Sequence, residues 1–189
     1  MSELRELLGR AEVRSISRRY FISNGFDGTL TSVGIAVGSY LSGIPDGLTV
    51  FKVGIGAAVG LGTSGVWSVW EIERAEKWAE IQRTERAMLT DLDDTEIQRR
   101  ARGARMINAT ASGIGPLIGI VLPLTPFLVE GVALSMLEAT VAGIGLGVAL
   151  LFVFGAYLGS ISDQRWLVAG ARMGLAGLVV ALLNLLLPG

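Results

Sequence analysis

The sequence contains neither cysteine nor histidine. Without cysteine there is no disulfide, no thiolate metal centre and no thiol nucleophile. Without histidine there is no imidazole ligand and no imidazole general base. No nucleophile–base pair of the usual kinds is left, so the chain is not expected to be an enzyme. Any metal chemistry falls to carboxylates, amides, hydroxyls, carbonyls and methionine sulfur. Charge is scarce as well: 17% of the residues are charged and the net charge is −1. That balance gives no sign of a nucleic-acid partner.

Apolar residues and glycine are abundant. Hydrophobic residues make up 51% of the chain, with 26 glycines, and the mean hydropathy is +0.55. A soluble domain of this length is rarely so apolar. Glycine is favoured in membrane helices, where it lets backbones approach closely. A spanning helix needs about 20 mostly apolar residues. Residues 20–43, 47–70, 106–129, 131–158 and 166–187 each meet that length. The expected fold is an all-α polytopic membrane protein with five transmembrane helices and a charged, helical cytoplasmic insert between the second and third. The domain reading is an amphipathic N-terminal helix at 1–19, spans at 20–70, the insert at 71–105, and spans again at 106–189. Leu4, Leu7, Leu8 and Ile16 among charges suit a helix lying on the inner membrane surface, with a frayed polar tail as the alternative. The apolar run after the N-terminal arginines is too long for a signal-peptide core and holds an Asp, so no cleaved leader is expected.

Positive charge orients the bundle. Of the 16 Lys and Arg residues, all but Lys52 lie before the first span, in the insert, or at the start of the fifth span. The positive-inside rule then puts the N-terminus in the cytoplasm and the C-terminus outside a cell membrane.

Ionisable residues inside a span are costly and are functional candidates. Asp27 lies in the first span and Glu138 in the fourth, each roughly 11 Å from a membrane boundary by helix rise. At those depths both carboxylates reach toward the bilayer middle, within ion-binding distance if their helix faces meet; a hydrogen bond to a neighbouring helix, or a shallower Glu138, is the alternative. Asn24, Ser32, Ser64 and Asn108 are further oxygen-bearing candidates along the same path. Gly113-Ile114-Gly115-Pro116 and Pro123-Leu124-Thr125-Pro126 predict a third span broken by proline, with freed carbonyls able to ligate a hard cation or, as the alternative, a simple kink for packing. Glu73, Glu76 and Glu80 recur at helical spacing in the insert, and Asp91, Asp93, Asp94 and Glu96 follow. Clustered carboxylates suit divalent cations. Interleaved Arg74, Lys77, Arg83 and Arg86 offer the alternative of ordinary helix-surface ion pairs. Glycines four apart (34/38, 56/60, 143/147, 155/159 and 170/174) predict close helix crossings or a dimer.

These residues are similar to a known family. Asn24-Gly25-Phe26-Asp27-Gly28 followed by Leu30-Thr31-Ser32 resembles the start of the first span in the vacuolar iron transporter family. Ile118 to Phe127, with Pro123-Leu124-Thr125-Pro126 at its centre, resembles that family's third-span Gly…Ile-Pro-Leu-Leu-Pro segment. Phe154-Gly155-Ala156-Tyr157-Leu158-Gly159 and Gly170-Ala171-Arg172-Met173 resemble its C-terminal end. The chain looks like a divergent, prokaryotic-type member with a short insert. The resemblance implies a homodimer in the lipid bilayer that exports ferrous iron or manganese from the cytosol in exchange for protons. The divalent cation is then substrate, with no permanently bound cofactor. The family's first-span Asp maps to Asp27, and its metal-collecting Glu pairs, spaced three apart, map to Glu73 and Glu76. Where iron-transporting members carry a second-span Met, this chain reads Gly62-Thr63-Ser64-Gly65-Val66-Trp67-Ser68. The rival expectation is a non-transporting membrane scaffold whose cytoplasmic helices bind another protein.

Overall fold

The computed structural model describes residues 11–88 and 96–186. The surface helix expected around Leu4, Leu7 and Leu8, and the acids Asp91, Asp93 and Asp94, lie outside the described residues. The described chain is helical: α1 (Ala11–Leu41), α2 (Gly47–Met88), α3 (Glu96–Leu124), a 3-10 turn (Thr125–Val129), α4 (Met136–Ile161) and α5 (Trp166–Leu186).

Four stretches are long and apolar enough to cross a membrane: α2, residues Gln98–Val129, α4 and α5. Outside the charged ends of α2 and α3, their outward faces are largely apolar, as at Val59, Val141, Val153 and Leu182, each more than half exposed. Water would not tolerate so continuous a surface, whereas lipid requires it. The fifth long helix, α1, has 31 residues, but Asn24, Asp27, Thr29, Thr31 and Ser32 dilute its apolarity. Its position explains Asn24, Thr29 and Ser32, which lie on its packed side. α1 lies along α3 and also meets α4, α5 and α2, with Val33, Ala36 and Val37 buried. A helix wrapped by other helices need not look like lipid.

Glycine sets the α1–α3 distance. A Cβ at Gly119 would stand 2.5 Å from the Gly25 carbonyl oxygen, and one at Gly28 would stand 2.7 Å from Pro116 Cα. The two backbones therefore touch directly. Gly143 and Gly147 let α4 close on Pro123 and Val33, and Gly155 and Gly170 join α4 to α5. Gly38, Gly56 and Gly60 face open space.

The expected proline break in the third span is corrected. α3 stays helical through both Pro116 and Pro123, and only beyond Leu124 does the chain tighten into the 3-10 turn. A proline costs the helix one backbone bond and crowds the preceding turn. Here Gly28 seats the α1 backbone against Pro116, so packing offsets the loss. α2 also runs unbroken through Trp70 into the charged segment. Its 42 residues make a rod of roughly 63 Å, about twice the hydrocarbon thickness of a bilayer.

Candidate functional site

The α1–α3 crossing brings polar groups into the middle of the bundle. Thr29, Ser32 and Ser112 are fully buried, and Asn108 is 1% exposed. Asn24 Nδ2 donates to Ser112 Oγ at 2.7 Å, and Ser112 Oγ donates to the Gly65 carbonyl at 2.9 Å. One hydroxyl thus ties α1, α3 and α2 together. Thr29 and Ser32 donate to carbonyls of their own helix, Gly25 and Thr29 respectively, both at 2.7 Å. Asn108 Oδ1 is buried without a hydrogen-bond partner among the described residues. A buried amide oxygen with nothing to accept is costly, and it is available to a cation or a water. Asn24, Asn108 and Ser32 therefore belong to the buried interior, whereas Ser64 is exposed on α2.

Ser112 was not among the sequence candidates. Its signal was present: it stands four residues before Pro116, whose missing N–H leaves the Ser112 carbonyl without its helical donor.

Asp27 sits elsewhere. It is exposed, on the opposite side of α1 from Thr29 and Ser32, and its carboxylate makes no hydrogen bond or ion pair among the described residues. It is roughly 21 Å from the helix end at Leu41. Ser23, Asp27, Thr31, Gly34 and Gly38 follow one another at steps of three or four residues, a single helix stripe. Every member is small or polar. An added Cβ would meet nothing within 4 Å at Gly38, and only the Asn184 amide at Gly34.

Glu138 is shallower than expected. α4 begins at Met136, so Glu138 occupies its first turn, in a capping box with Ser135. Glu138 Oε2 accepts from the Ser135 N–H and hydroxyl, both at 2.8 Å. It does not approach Asp27 near the bilayer middle. The other acids at this end are also helix caps. Glu130 Oε2 accepts from Gly47 N at 3.0 Å, and Asp46 accepts from Thr49 N at 3.0 Å and from Thr49 Oγ1. Both complement the free N–H groups and positive dipole end of α2. The Thr49 hydroxyl bond, followed by the Thr49 and Leu48 amides, holds the Asp46 carboxyl below its ordinary range.

The insert glutamates are not gathered into one cage. Glu73 is 4% exposed, on the buried stripe of α2 with Val69 and Ile81, and lies beside Tyr20 and Arg105. Glu76 is exposed. Glu80 accepts from Lys77 Nζ at 2.7 Å. Among the described residues no group of three or more Asp or Glu is placed to hold a metal ion. The stripe that buries Glu73 leaves Glu76 and Glu80 beside it in solvent, which separates them.

A family model, described as the VIT family, matches residues 68–187. The chain belongs to the VIT family. VIT proteins are membrane transporters rather than enzymes, and the family points to metal ions as their cargo. The matched region runs from the middle of α2 to the end of α5, leaving α1 and Asp27 before it. The chain is also 29% identical over 168 residues to an uncharacterized protein of Methanocaldococcus jannaschii, covering 87% of this chain and 85% of the relative. Both likenesses accord with a divergent, prokaryotic-type VIT protein.

Proposed function

We propose that this VIT protein exports a divalent cation, ferrous iron or manganese, from the cytosol across the cell membrane in exchange for protons, and that Asp27 binds the cation or the proton in a homodimer. The observation that carries the reading is the Asp27 carboxylate. It stands mid-helix, exposed and without a partner among the described residues, on a stripe of small and polar residues. A bare carboxylate against lipid is strongly unfavourable. A second copy laid along Ser23, Thr31, Gly34 and Gly38 removes it from lipid and pairs two such carboxylates, a donor set suited to a hard or borderline cation.

In this reading α1 is the fifth span, which puts the N-terminus and the charged extension of α2 in the cytoplasm and the C-terminus outside. The extension supplies Glu73 and Glu76 as cytosolic collectors. Within one protomer they do not converge, so a metal there would draw on both copies or on a rearranged extension. Asn24, Ser32, Ser112 and Asn108 supply the polar interior across which the bundle rocks between its two openings. Ser64, exposed on α2, offers a further hydroxyl oxygen.

Titration of the purified full chain with Fe²⁺ or Mn²⁺ by calorimetry tests the reading. Saturable binding that weakens at least tenfold in Asp27→Asn is expected. Absence of binding to either ion would favour the membrane scaffold instead.

A further inference from the structure

The seam between α2 and α3, on the side away from α1, carries two cavities in line. Near the charged end is one of about 420 Å³ bordered by Arg74, Lys77, Arg102, Arg105, Glu71 and Trp78. Deeper along the same two helices is an apolar groove of about 460 Å³, with Val59, Val66, Ile114 and Leu117 in its walls. Helical spacing joins them. Val59, Thr63, Val66, Trp70, Arg74 and Trp78 succeed one another on α2 by steps of three or four, and Arg102, Met106, Thr110, Gly113 and Leu117 do so on α3. Each helix therefore carries one continuous face from the cationic cavity into the apolar groove. Between the two, the Arg105 guanidinium lies over the Trp70 ring at 5.1 Å.

The cationic cavity is under-neutralised. Glu71 pairs with Arg74 only loosely, at 3.7 Å, with both side chains at least half exposed. Such a pair holds little energy. Lys77 is bound to Glu80. Arg102 makes no ion pair among the described residues, and Arg105, although Glu71 and Glu73 lie near it, keeps its Nε buried without a hydrogen-bond acceptor among the described residues. Three guanidinium forks facing one cavity suit a phosphate, which Arg binds bidentately. Trp67 and Trp78, 71% and 55% exposed, bracket it as aromatics do at a membrane–water interface.

We propose that this seam binds one anionic phospholipid, its phosphate among Arg74, Arg102 and Arg105 and one acyl chain in the Val59–Leu117 groove. Charge complementarity selects the headgroup, and the adjoining apolar groove selects a lipid over a free anion. The site rests on the membrane reading of the bundle, not on cation transport, so metal flux and lipid binding fail independently.

Full chain in phosphatidylcholine nanodiscs, in a Trp166→Phe background, provides the test, since the remaining tryptophans (Trp67, Trp70 and Trp78) all lie along α2 at this seam. Phosphatidylglycerol with brominated acyl chains is expected to quench their emission more than brominated phosphatidylcholine at equal mole fraction. Arg74→Gln and Arg102→Gln, both at exposed positions, should each weaken the preference roughly fivefold. Arg83→Gln, which removes the same single charge outside the cavity, should keep it. Equal quenching by both lipids, or loss of the preference in Arg83→Gln as well, would overturn the site. Full displacement by inorganic phosphate would replace the phospholipid with a free anion and overturn it too.

Discussion

Replacing Gly119 with alanine tests how the bundle is held together. The added Cβ would lie 2.5 Å from the Gly25 carbonyl, 2.8 Å from Thr29 N and 3.0 Å from Thr29 Oγ1. Two of these atoms are backbone, so no rotamer change relieves the clash. Ordinary contact begins near 3.4 Å, so α1 and α3 must part by roughly 0.9 Å. Overpacking of this kind costs about 1–3 kcal/mol. Against it stands the better helix propensity of alanine, up to about 1 kcal/mol. The net is a loss of up to about 2 kcal/mol, or up to roughly 6 °C in Tm for a chain of this size. Gly145→Ala provides the reference, because a Cβ there meets nothing within 4 Å and only the propensity gain remains. Thermal unfolding of both variants in one detergent should show Gly119→Ala below wild type and Gly145→Ala at or above it. A Gly119→Ala variant as stable as Gly145→Ala would refute direct backbone contact between α1 and α3.

Other consequences follow from the same geometry. Gly38→Leu blocks the open stripe on α1 where an added side chain meets nothing within 4 Å, and light scattering in detergent should find the wild type dimeric and this variant monomeric. Glu138→Gln keeps an acceptor for the Ser135 cap, so metal flux in proteoliposomes should be unchanged; a large loss would return Glu138 to the transport path. Asp46, whose folded pKa is depressed by Thr49, contributes stability that is fully present above its unfolded value of about 3.9. That contribution disappears as pH falls through the lower folded value. The Tm gap between wild type and Asp46→Ala should therefore be constant at neutral pH and close below about pH 4.

The helical class and the apolar stretches could be read from composition and run length, because a bilayer imposes both directly. Helix ends were less legible. Hydropathy alone drew the fourth span from residue 131, although Ser135-Met136-Leu137-Glu138 already spelled a capping box. That cap turns a mid-membrane carboxylate into a helix-terminal one. The caps at Gly47 combine a local signal, Asp46, with a contact across 83 residues to Glu130, and no local pattern foretells the second. Pro116 read as a break because a proline's cost is local, while the Gly28 contact that offsets it comes from another helix. Asp27 was identifiable as an anomaly, but its outward orientation was not. Which side of α1 is open depends on where α3, α4 and α5 pack. Glu73, Glu76 and Glu80 looked equivalent by spacing, until the buried stripe of α2 took the first and left the others outside.

The central claim is that Asp27 serves cation movement through a paired α1 surface. Proteoliposomes loaded with a metal-sensitive fluorophore measure it directly, comparing Fe²⁺ and Mn²⁺ flux for wild type and Asp27→Asn under an imposed pH gradient. Gradient-dependent flux in wild type and its near-complete loss in Asp27→Asn are expected. Equal flux by the two proteins would contradict the claim.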